Sequence, residues 1–231
     1  MAKPVVREPL RRNSRANRAR ILATARRELG RNPDITLEEL ARAAGVVRRT
    51  LFGHFPGREA LLEALAEEAA EALRRALPEG AELDGQKAEQ EAEKEAEQDS
   101  PEEALARLVY SLWPVGDRYR LLLSLTQRDL GAERVAEVLA PARERVTAIL
   151  ERGQRDGVFH AQLPAAVLSA GLEAMTVALL ESVNTGALED DGSRAATVTL
   201  IAAGVSEERA QAVVEAVAAT LVVVEEPADD D

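Results

Sequence analysis

The sequence predicts an all-α protein: an N-terminal three-helix head carrying a helix-turn-helix, then a C-terminal helical bundle. Three observations predict it. Aromatics make up only 3% of the 231 residues, while alanine, leucine and valine dominate, so strong helix formers are in excess. Apolar residues recur at spacings of three and four in one segment after another. Glycines and prolines then fall where those periodic runs stop.

Met1 to Asn13 reads as a disordered basic arm, with two prolines and Lys3, Arg7, Arg11 and Arg12. Such an arm can lie along phosphates or enter a minor groove. Ser14 is the expected N-cap of a first helix running to about Gly30. Ile21, Ala25 and Leu29 form its inward stripe, with Leu22 beside it. Arg15, Arg18 and Arg20 stand in its first turns, where the helix dipole disfavours cations. A local cost of that kind points to a use elsewhere, and phosphate contact is the expected one.

Thr36 to Phe55 reads as two short helices joined by a tight turn. Thr36 and Glu39 have the spacing of a capping box, in which each side chain satisfies an orphan amide. Leu37, Leu40, Ala41 and Ala44 share one face. Gly45 supplies the left-handed conformation that ends helices. A second helix follows from about Val47 to His54. Leu51 and Phe55 point inward, and Arg48, Arg49 and Phe52 share the opposite face. Arginine suits that face because its planar fork pairs with a guanine edge or a phosphate.

The stretch AGVVRRTLFGHFPGREALL resembles the DNA-binding signature of the TetR family of repressors, and the resemblance extends over roughly Arg18 to Leu65. Ala44, Gly45, Val46, Thr50, Leu51, Phe52, His54, Phe55, Arg58, Glu59, Leu61 and Leu62 carry it. Three positions depart from the pattern. Val47 stands where a serine or threonine caps the recognition helix, a loss of about 1 kcal/mol. Phe52 replaces a tyrosine and offers no hydroxyl, and Arg58 replaces a lysine. The resemblance implies a sequence-specific transcriptional regulator, a ligand-responsive repressor that binds a palindromic operator in double-stranded DNA as a homodimer. The expected DNA contacts are Arg48, Arg49, Thr50, Phe52, His54, Arg58, Thr36, Arg15 and Arg18.

Pro56 and Gly57 separate this motif from a long helix, Arg58 to about Leu77, with a continuous apolar side. The head is accordingly placed at residues 14–75 and the body at 76–231. Residues 78–101 contain little to bury and read as a solvated acidic linker. Glu102 to Leu112 is helical, and Trp113-Pro114 is expected to end it. Arg118 to Leu130 and Glu133 to about Asp156 follow, the latter stopped by Gly157. Pro164 leads a helix to Asn184, and Ser193 to Ala203 forms another. Ser206 caps a last helix through Val224, with fraying expected at TLVVV, before the acidic tail EEPADDD.

The net charge of −12 is unevenly placed. Up to Ala60 there are 14 Lys and Arg against 6 Asp and Glu, a net of +8; beyond it the net is −20. A basic head on an acidic body suits a DNA-binding regulator. The lack of cysteine excludes disulfides and thiolate metal sites and makes a cytoplasmic location the default. No stretch reads as reaching transmembrane length, so no membrane partner is expected. Catalytic parts are missing: the two histidines, His54 and His160, have no partnered nucleophile, and no phosphate loop or metal motif occurs. No catalytic residue, metal or cofactor is therefore expected, beyond an unidentified small-molecule effector. Tyr110, Trp113, Tyr119, Leu122 and Met175 are its candidate lining, set against ordinary core roles. The helices Pro164–Asn184 and Ser206–Val224 are the expected dimer interface, through Leu172, Leu179, Val213, Val217 and Leu221. The competing reading is a helical protein-interaction module without DNA sequence preference.

Overall fold

The computed structural model describes residues 8–77 and 99–224. Of the disordered arm expected over 1–13, residues 1–7 lie outside the described residues, while 8–13 are helical and correct that expectation; most of the acidic linker, 78–98, also lies outside the described residues. Within them the regular structure is entirely helical. The elements are α1 (Glu8–Arg31), α2 (Leu37–Ala43), α3 (Arg48–His54), α4 (Arg58–Ala76), α5 (Pro101–Asp129), α6 (Ala132–Arg155), α7 (Ala165–Asn184), α8 (Ser193–Ala202) and α9 (Glu207–Val224). The chain divides into two compact units. The head unit comprises residues up to Ala70 with Leu121–Val138; the body unit comprises Glu71–Arg120 and the chain from Leu139.

The elements differ from expectation at two points. Helix α1 starts at Glu8, upstream of Ser14, so Ser14 is an interior residue and not the cap. Proline at the second position is tolerated because its missing amide is an orphan there, and Leu10, Arg11 and Arg12 are good helix formers. Helix α5 runs unbroken through Pro114, where a stop is expected. The bias of a pre-proline residue against helix is a preference worth less than the packing on either side. Leu108, Trp113 and Tyr119 are all buried around it, while Pro114 itself is exposed.

The head unit closes on Ile21, Leu22, Ala25 and Leu29 from α1, Leu40 and Ala41 from α2, Leu51 from α3 and Leu61, Leu62 and Leu65 from α4, all buried. Fully burying each leucine is worth about 1.5–3 kcal/mol, which lets helices as short as α2 and α3 persist.

The body core gathers Leu105 and Leu108 of α5, Leu150 of α6, Leu168 and Leu172 of α7, Leu200 of α8 and Val213, Val214 and Val217 of α9. Gly153 is required in α6, because a Cβ there would stand 2.1 Å from the Phe159 ring. This packing corrects the expected dimer residues. Leu172, Val213 and Val217 are buried in the monomer's own core, and Leu221 packs against it. Leu179 is half-buried. The aliphatic residues that a helical-wheel reading assigns to a partner are the ones the monomer needs.

Helix α7 also corrects the expectation about membrane-length segments. It is 20 residues long with a mean hydropathy of 1.5 over its most apolar window, enough by length and composition to cross a membrane. Its inner side carries Leu168, Ser169, Leu172 and Leu180, buried. Its outer side exposes Val167, Ala170, Gly171, Ala174, Val177 and Ala178. Glu173 is half-buried and takes a two-armed pair from Arg143 on α6, at 2.8 and 2.9 Å.

Of the five residues expected to line a ligand pocket, Trp113, Tyr119 and Leu122 are buried, and Tyr110 and Met175 are half-buried. Trp113 is buried, and its Nε1 donates to the Asp190 carbonyl at 3.1 Å. Tyr110 bonds to Ser193 at the first position of α8, and burial pushes its hydroxyl above the usual tyrosine range. Both therefore fix the start of α8, where Asp190 also accepts from the amides of Gly192, Arg194 and Ala195. Met175 packs on the body core, and Tyr119 is buried.

Candidate nucleic-acid interface

The interface is built from the capping box outward. The Thr36 amide donates to Glu39 Oε2 at 2.9 Å, and the Glu39 amide donates to Thr36 Oγ1 at 3.3 Å. The Thr36 hydroxyl donates to the same carboxylate at 2.7 Å. Donation from Thr36, first by its amide and then by its hydroxyl, holds the Glu39 carboxyl below the usual range. The Thr36 amide and hydroxyl protons are both taken by Glu39, which corrects the expected DNA contact: in this pose Thr36 has no free donor for a phosphate.

Helix α2 ends with the Ala44 amide on the Leu40 carbonyl and Gly45 at φ +62°. That angle is strained for any residue with a Cβ, and it turns the chain sharply into α3. Val47 occupies the N-cap position with extended backbone and makes no side-chain cap. Its side chain is 70% exposed. Helix α3 is anchored from beneath by Leu51 and Phe55, which are 0% and 2% exposed. Anchoring at those two positions, four apart, forces Arg48 and Arg49 outward. Both are exposed; Thr50, Phe52 and His54 are half-buried along the edges of that face. His54 ends the helix with its ring 6.2 Å from that of Phe55.

Arg48 is exposed but not isolated. Its Nη2 lies 2.9 Å from Glu38 Oε1 on α2, and its Cζ stands 5.0 Å from the centre of the Phe52 ring. Glu38 was not among the expected site residues. It follows the cap in sequence, and no local spacing rule links it to a residue ten positions on. Arg49 is exposed with no ion pair among the described residues.

The other expected basic contacts lie elsewhere in the head unit. Arg15 and Arg18 border a notch of about 440 Å³ floored by Ala19, Leu22 and Ala64, with Glu67 and Glu68 on the α4 side. The Arg18 guanidinium lies 5.5 Å from the centre of the Phe55 ring. Arg58 requires a correction. Its guanidinium donates to the carbonyls of Pro33 at 2.6 Å and Ile35 at 3.4 Å and to Asp129 at 2.9 Å. Three of its five N–H donors are thus taken inside the head, so in this pose Arg58 acts first as a brace of the head.

Residues 21–65 match the family of bacterial regulatory proteins described as tetR. Those residues form a TetR-type helix-turn-helix segment. That match covers the capping box, the Gly45 turn, the recognition helix α3 and the start of α4. No curated protein matches the sequence. Solved structures extend the likeness of fold beyond the TetR head. One is a gamma-butyrolactone receptor described as ArpA-like, at 19% identity and a TM-score of 0.63, covering 90% of this chain and 99% of that one. Another is a TetR-family transcriptional regulator from Rhodococcus sp., at 18% identity and 0.61, covering 81% and 96%. A third is the TetR-family regulator PfmR from Thermus thermophilus, at 19% and 0.60, covering 80% and 97%. The chain thus has the TetR fold, an HTH head followed by a helical bundle. Among the described residues no group of three or more His, Asp and Glu could hold a metal ion.

Proposed function

We propose that the protein is a cytoplasmic, non-catalytic transcriptional regulator, a ligand-responsive repressor that binds a palindromic operator as a homodimer. The observation that carries this reading is the pose of α3: Leu51 and Phe55 buried beneath it, Arg48 and Arg49 exposed above it. A short helix presenting two guanidiniums from a basic head is what entry into a major groove needs. Arg48, Arg49 and Thr50 are the proposed base and phosphate contacts, with Phe52 and His54 at the edges.

One such head contacts too little DNA for tight specific binding, and a dimer solves this by reading two half-sites. The outer side of α7, with Val167, Ala170, Gly171, Ala174, Val177 and Ala178 exposed, is the proposed pairing face. Ala212, Ala216 and Ala219 extend a similar small-residue side along α9. Small residues allow close helix approach, and an apolar outer face on an otherwise charged protein calls for a cover. A body of leucine, valine and alanine suits an apolar or amphipathic effector. One structure of the same fold is a gamma-butyrolactone receptor.

The test is the salt dependence of binding to labelled duplex DNA. Log affinity should fall linearly and steeply with log salt concentration, because phosphate contacts release counterions. Binding that ignores salt, or no binding at low salt, would overturn the reading.

A further inference from the structure

We infer that Glu38 is a positioning residue that holds Arg48 in its base-reading pose, with Phe52 as the second support. The inference rests on the DNA-binding reading above and names a device within that same surface. Glu38 Oε1 and Arg48 Nη2 form an ion pair at 2.9 Å, across the turn from α2 to α3. The Phe52 ring, one helical turn along α3, lies under the same guanidinium, 5.0 Å from its Cζ. The plane is thereby held at one edge and on one side.

Stability does not account for this arrangement. The two side chains are 70% and 44% exposed, and exposed ion pairs contribute little to folding. Toward DNA a carboxylate beside the recognition helix is unfavourable, since it meets phosphates of its own sign. Orientation does account for it. A free arginine loses rotamer freedom when it docks on a base, and a guanidinium already fixed loses less. The group carries five N–H donors; the Glu38 carboxylate lies against Nη2 alone, and a guanine edge needs two. Arg48 can therefore stay paired while it reads. Arg49 carries no such tether among the described residues, so the two neighbouring arginines divide into an oriented reader and an adaptable one.

The experiment uses the full-length protein. Sites selected from random duplexes by the native protein and by Arg48→Ala identify the base pair that Arg48 reads. Discrimination is then the ratio of affinities for that site and for the site with that pair changed, about 5- to 100-fold for the native protein. Glu38→Ala should cut the ratio several-fold while affinity for unrelated DNA stays level or rises, because a negative charge is gone. Glu38→Gln removes the charge but keeps an acceptor for Arg48, so it should retain most of the discrimination. In an Arg48→Ala background, Glu38→Ala should change the ratio no further. Native discrimination by a folded Glu38→Ala protein, or an equal loss with Arg48 absent, would overturn the inference while leaving DNA binding intact. Failure of the native protein to select any common site would instead overturn the DNA-binding reading, and this inference with it.

Discussion

Arg58 Nε on α4 donates to Asp129 Oδ2 at the end of α5, at 2.9 Å. The same guanidinium reaches the carbonyls of Pro33 and Ile35 in the loop before α2, and Arg128 bridges Asp129 to Asp34 in that loop. A few positions along α4, Glu63 pairs with Arg134 of α6 at 2.5 Å. Helix α4 thus offers one cation and one anion, and the segment around Gly131 answers each with its opposite. These pairs tie the helix-turn-helix to the α5–α6 junction within the head unit.

Arg58→Ala should therefore destabilise the head by about 1–2 kcal/mol, since it removes a charged donor from two carbonyls and a carboxylate. Arg58→Lys should recover only part of this, because a point charge cannot reproduce the fork. Denaturant unfolding measures both. An Arg58→Ala protein of native stability with reduced DNA affinity would return Arg58 to the phosphate contacts.

The pH dependence of this brace has a definite sign. Donation from Arg128, then from Arg58, holds the Asp129 carboxyl below the usual aspartate range. A carboxyl depressed in the folded state contributes stability that is present above its unfolded pKa and lost as pH falls through its folded pKa. The stability difference between the native protein and Asp129→Asn should thus be constant from neutral pH to about pH 5 and shrink below about pH 4. A difference that is flat down to pH 2 would contradict the pairing.

Val47 already has the backbone of an N-cap but lacks an acceptor. Val47→Ser should stabilise the head by about 1 kcal/mol, read as a raised denaturation midpoint with an unchanged slope. No gain would mean that the α3 amides are satisfied in another way.

The body offers a contrast between surface and core. Ala174→Glu with Val177→Glu, both on the exposed side of α7, should give folded monomers by light scattering with weakened operator binding. Val217→Glu should instead unfold the body, because it places an unpaired charge where the valine is 2% exposed, a loss exceeding about 3 kcal/mol. A still-dimeric α7 double variant would refute the pairing face. Gain of membrane association by native protein, with no dimer, would assign that apolar side to lipid.

The head was legible in the sequence because its signals are local. A capping box, a glycine stop and apolar positions four apart place α2 and α3 within a residue or two, and each rests on contacts inside a single turn. What was not legible depends on distant partners. Arg58 reads as one more outward cation until Asp129, 71 positions away, is seen beside it. Glu38 reads as a first-turn acid suited to the helix dipole. On α7 and α9, apolar residues occur on more than one side, so periodicity alone could not separate the side buried in the monomer from the side left outside. Pro114 misled for the opposite reason: a strong local rule gave way to packing along the rest of α5.

The central claim is that the arginines of α3 read DNA sequence as a symmetric pair. Arg49→Ala tests the single reader: it should cost about 1–3 kcal/mol in specific affinity and relax the preference at one base position. The most direct measurement is selection from random duplexes by the full-length protein, followed by sequencing of the bound sites. The account predicts inverted repeats with half-sites about one helical turn apart or slightly more. Winners without a shared sequence, or with one unpaired motif and no symmetry, would contradict it.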